Sequence, residues 1–85
     1  MVLSEFKELD TQHQIWVFAG GIKVGRCEED GIIAECRQVD DFYVECEIDS
    51  MNNFRCFMFS HRNTRLLDRY FDRMPALDLA ALLVQ

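Results

Sequence analysis

The chain has 85 residues, 49% of them apolar or aromatic, and a formal charge of −6. That is too apolar for a disordered chain and too short for more than one domain, so residues 1–85 are expected to form a single domain. The acidity weighs against general affinity for nucleic acid or anionic membrane, which comes from neutralising phosphates.

Residues 1–12 place Leu3, Phe6 and Leu9 three apart, with Ser4 as a candidate cap, which predicts either a short amphipathic helix or a terminus anchored by a few side chains. Ile15-Trp16-Val17-Phe18 is an unbroken apolar run of β-preferring residues and predicts a first strand, covered on both faces. After Gly20-Gly21, a second strand is expected over Ile22 to Glu28, where Gly25 marks a bulge, a sharp bend or the close approach of another backbone. Asp30-Gly31 is a strong hairpin turn signal, because a type I′ turn needs positive φ at both central residues.

Three further strands follow, Ile32 to Val39, Phe42 to Ile48 and Phe54 to Phe59, separated by the polar clusters Asp40-Asp41 and Asp49 to Asn53. With the hairpins centred on Asp41 and Met51, the alternation puts Cys36, Cys46 and Cys56 in one inward row. The outward face then pairs Arg37 with Glu45 and Glu47 with Arg55, and gathers Val39, Tyr43, Phe57 and Phe59 at one end.

Beyond residue 60 the period becomes helical. Leu66, Leu67, Tyr70, Phe71 and Met74 form one face of a helix over about 63–74, and Arg62, Arg65, Arg69 and Arg73 line the other. Pro75 ends it and opens a second helix to Val84, apolar throughout except for Asp78. The expected fold is therefore α+β: a five-stranded antiparallel meander, either a twisted sheet or a partly closed barrel, with two C-terminal helices.

Chemistry-bearing patterns are sparse. Cys27, Cys36, Cys46 and Cys56 recur at the length of one strand plus one turn with no close Cys pair, so core packing is favoured over metal binding or a disulfide. His13 and His61 sit at element boundaries without an orienting acid at recognisable spacing, so no catalytic, cofactor or metal residue is assigned.

The surplus apolar surface points to a non-enzymatic interaction module. It would act as a homo-oligomer, most simply a dimer, through Val39, Tyr43, Phe57, Phe59, Leu77, Leu79, Leu82 and Leu83, and contact another protein with its acidic surface. A small-ligand protein would instead line a pocket between sheet and helix with Trp16, Phe54, Met58, Tyr70 and Phe71, and a nucleic-acid binder would use Arg62, Arg65, Arg69 and Arg73. No apolar run reaches the ~20 residues of a membrane span, and the N-terminus lacks the basic and apolar regions of a secretory signal. A cytoplasmic protein with reduced thiols is expected.

Overall fold

The computed structural model describes residues 1–71. Two helices, α1 (Leu3–Glu8) and α2 (Thr11–Ala19), precede four strands, β1 (Ile22–Glu29), β2 (Ile32–Val39), β3 (Phe42–Asp49) and β4 (Arg55–His61). A 3-10 turn (Thr64–Leu67) then runs into α3 (Asp68–Phe71). The strands form one open antiparallel sheet in the order β1-β2-β3-β4. The expected second C-terminal helix, with Arg73 and the residues Leu77, Leu79, Leu82 and Leu83, lies outside the described residues.

The sheet has four strands rather than five, because Ile15 to Phe18 is helical. Asp10 caps α2 by accepting from the backbone N–H of His13 at 2.8 Å, and Gly20 ends it. β-branched and aromatic residues disfavour helix only weakly, and this local preference is overridden by packing. Val17 and Phe18 pack against the sheet, while Ile15 and Trp16 remain 38% and 60% exposed.

Both faces of the sheet are covered. On one face Phe6 of α1 lies on Phe42, ring centroids 5.6 Å apart, above a core that includes Val44 with Leu3, Leu9, Val17, Phe18, Val39 and Met58 around it. On the other, Leu67 and Tyr70 close over Ala34 and Cys36. The sheet therefore has two small cores, whereas the alternation of β3 by itself implies one inward face and one solvent face.

The β2–β3 register follows from this. Asp40-Asp41 forms a two-residue loop with Asp40 at φ 51°, which sets Val39 opposite Phe42 and Cys36 opposite Glu45. The expected loop centred on Asp41 differs by one residue, enough to exchange the faces of two strands. Cys36 thus shares a face with Glu45 and Glu47, while Cys46 lies on the opposite face with Ile33, Glu35 and Ile48. Glu45 and Glu47 do not pair with Arg37 and Arg55. Arg37 instead bonds Glu35 at 2.8 Å and donates to the carbonyls of Ala19 and Gly21, tying the end of α2 to the sheet.

The Asp30-Gly31 turn and the bulge at Gly25 form as expected, but the β3–β4 hairpin centres on Asn52 rather than Met51, setting Ile48 opposite Cys56 and Cys46 opposite Met58. Asp30 and Gly31 take φ of 53° and 82°. The β1–β2 ladder shifts register between Lys23 and Gly25, and a Cβ on Gly25 would meet the Cβ of Tyr70 at 2.8 Å.

Candidate functional site

The most distinctive chemistry among the described residues surrounds Glu45, which is 5% exposed in the middle of β3. Burying a carboxylate is costly unless its oxygens are satisfied by donors or cations. Here each oxygen has partners. Tyr70 donates its hydroxyl to Oε1 at 2.7 Å, and Arg69 donates Nη2 to the same oxygen at 2.6 Å. His61 lies 2.5 Å from Oε2 through its Nε2. Arg69 also reaches Glu47 through Nη1 at 2.7 Å, so one guanidinium bridges two carboxylates of the same strand face.

Each partner is positioned by a nearby backbone feature. Tyr70 can descend onto the sheet because Gly25 has no side chain. His61 ends β4 directly across from Tyr43, and the backbone N–H of Asn63 donates to its Nδ1 at 3.1 Å. A ring nitrogen that accepts has no hydrogen of its own, so this bond selects the tautomer with the proton on Nε2, aimed at Glu45.

The electrostatics follow from the same contacts. Burial pushes the Glu45 carboxyl up, but hydrogen bonds from Tyr70, His61 and Arg69 outweigh it and hold the group below its ordinary value of 4.5. Burial and the bond to Glu45 push the Tyr70 phenol well above its ordinary 10.0. Burial pushes the neighbouring Cys36 thiol from 9.0 up to about 12, with the negative charge of Glu45 adding to it.

The chemistry of this arrangement is to hold charge in place. Both ring nitrogens of His61 are engaged, one by Glu45 and one by a backbone amide, so neither faces a nucleophile or an open position. Among the described residues no group of three or more His, Cys, Asp or Glu side chains is placed to bind a metal ion.

Beside this network lies exposed apolar surface. Phe57 and Phe59, 43% and 46% exposed, stand on β4 opposite Glu47 and Glu45, and Leu66 is 50% exposed. Phe59, Leu66, Glu45, Glu47, His61 and Arg69 border a shallow open hollow of about 250 Å³.

The structure brings some of the expected site residues together and separates others. Tyr43, Phe57 and Phe59 share a face, but Val39 packs beneath the N-terminal helices on the other. The five residues of the expected ligand pocket are dispersed. Tyr70 is buried on one face, Met58 packs on the other, and Trp16, Phe54 and Phe71 are 60%, 68% and 50% exposed. Of the arginine stripe, Arg62 pairs with Asp41 at 3.4 Å, Arg65 is exposed, and Arg69 turns inward. The 3-10 turn before α3 changes the angular spacing, which carries Arg69 to the sheet side and leaves Leu66 and Phe71 exposed.

The Glu45 cluster was not expected from sequence, where Glu45 and Glu47 fell on a solvent face and His61 at a boundary. The available signal was complementarity: two central-strand glutamates, and an arginine and a tyrosine adjacent in the following helical segment.

No protein-family model, curated protein or solved structure matches the chain. No helix among the described residues is long and apolar enough to cross a membrane.

Proposed function

We propose that the protein is a small non-enzymatic interaction module that pairs with a second copy of itself through β4 and the aromatic face beside it. The observation that carries this is the exposure of Phe57 and Phe59 on a strand at the edge of the sheet.

The two edges of the sheet differ. β1 is interrupted by the shift at Gly25, carries Lys23 and Arg26, and has α3 packed over it. Such features are the usual protection of an edge strand. β4 pairs with β3 in continuous register, contains no proline, and presents aromatic side chains. An antiparallel pairing of two β4 strands about a two-fold axis at Met58 would set Phe57 of one copy opposite Phe59 of the other. Aromatic pairs across a ladder are among the more stabilising ones, and two-fold symmetry makes the contact self-complementary. Leu77, Leu79, Leu82 and Leu83, which the sequence reading assigns to the same interface, lie outside the described residues.

The test is the solution mass of the full chain, by light scattering behind a sizing column, beside a Phe57→Ser/Phe59→Ser variant. A dimeric natural chain and a monomeric variant of unchanged circular dichroism are expected. A monomeric natural chain, or a variant that keeps the dimer mass, overturns the proposal.

A further inference from the structure

On the face opposite the Glu45 cluster, the Sγ atoms of Cys46 and Cys56 lie 3.2 Å apart on neighbouring strands. Cys46 stands across from Met58, and Cys56 across from Ile48, so the two thiols are diagonal neighbours on one face of the β3–β4 hairpin. Cys56 is exposed and Cys46 half-buried. The other two cysteines do not compete: Cys27 and Cys36 lie on the far side of the sheet, around Ala34 and Tyr70.

We propose that Cys46 and Cys56 form a reversible cross-strand disulfide by exchange with a low-molecular-weight disulfide, with Cys56 as the attacking thiol and Cys46 as the resolving one.

Bonding needs the sulfurs to approach by about 1.2 Å, to the ~2.04 Å of a disulfide, a change within reach of side-chain rotation and a small hairpin adjustment. The order of the two thiols follows from exposure. Solvent reaches Cys56, and Cys46 borders an open hollow of about 230 Å³ with Phe18, Arg26, Ile33, Glu35 and Ile48. Burial and the neighbouring Cys56, Glu35 and Glu47 push the Cys46 thiol up to about 12, which also disfavours it as the first nucleophile.

The step balances as two exchanges. The Cys56 thiol loses its proton and attacks one sulfur of the incoming disulfide, releasing one thiolate and leaving a mixed disulfide on Cys56. The Cys46 thiol then loses its proton and attacks the Cys56 sulfur, expelling the second thiolate. Both protein sulfurs are oxidised, the small disulfide is reduced, and the two protons lost from the protein end on the two small thiols. A diagonal bridge at the limit of disulfide reach is readily reduced, so a small thiol in excess reverses the reaction.

The experiment is incubation of the folded full chain with glutathione disulfide, read by intact mass and by peptide mapping. The expected product has lost two hydrogens and links the Cys46 peptide to the Cys56 peptide. Cys46→Ser should stop at a glutathione adduct on Cys56. Cys56→Ser should form neither adduct nor bridge, and Cys36→Ser should behave as the natural chain. Accumulation of the adduct without closure in the natural chain, a bridge to Cys27 or Cys36, or a bridge between chains would overturn the proposal.

Discussion

Tyr70 rests on Gly25 so closely that a methyl group added to the glycine would lie 2.8 Å from the Cβ of Tyr70. This contact lets the phenol reach Glu45 at 2.7 Å and joins the last described helix to the sheet. Backbone and side chain are both involved, since the β1 register shift occurs at the same glycine.

Gly25→Ala should therefore lift Tyr70 from the sheet and destabilise the domain by about 1–3 kcal/mol, the usual cost of overpacking. Urea unfolding followed by circular dichroism measures it. An unchanged midpoint would mean that α3 does not depend on this contact.

Tyr70→Phe removes the hydroxyl and keeps the ring. The loss should be about 1 kcal/mol, the net worth of one hydrogen bond, with a somewhat larger value if the charge on Glu45 strengthens it. Because that bond helps to hold the Glu45 carboxyl down, the variant should also unfold at a higher pH on the acid side. A parallel downward shift of the whole stability profile, with the slope of its acid limb unchanged, would contradict the role assigned to the hydroxyl.

The pH dependence has two limbs. The folded-state value of Glu45 lies below its ordinary 4.5, so its contribution is fully present above 4.5 and is lost as pH falls through the folded value. Cys36 and Tyr70 have folded values raised above 9.0 and 10.0, so their contributions are present below those values and are lost as pH rises, for Cys36 toward about 12. Cys36→Ala should flatten the fall in stability that begins near pH 9. Denaturant midpoints measured from pH 3 to 11 on both chains would show it, and an identical alkaline limb would assign that fall to other groups.

The N-terminal helices should tolerate change very unequally. Phe6 is 1% exposed against Phe42, and Phe6→Ala should cost about 3 kcal/mol or more, as large-to-small core substitutions do. Trp16 is 60% exposed on α2, and Trp16→Ala should stay within about 0.5 kcal/mol. Were Ile15 to Phe18 a doubly covered strand, the tryptophan would be among the costliest residues to truncate. The thermal midpoints of the two variants decide between these cases.

Local determinants were legible in the residues themselves. Alternation located β1 to β4 to within a residue or two, Asp30-Gly31 specified its turn, and Gly25 announced a bulge, though not the Tyr70 side chain that packs on it. Each depends on backbone preferences or on neighbours within a few positions, information that a short stretch of chain contains.

The face on which each strand's side chains finally lie was decided only by the tertiary structure. A sheet covered on one side has its register set by the apolar face, but here α1 and α2 cover one side and α3 the other. Either phase of β3 then buries something, and the two-residue loop at Asp40 decides between them. The same reason conceals the candidate site. Glu45 reads as a solvent-facing residue of an alternating strand until Arg69, Tyr70 and His61, 16 to 25 positions away, are folded over it. A lone carboxylate in the chain carries no mark of the partners that make its burial tolerable, because those partners meet it only through packing.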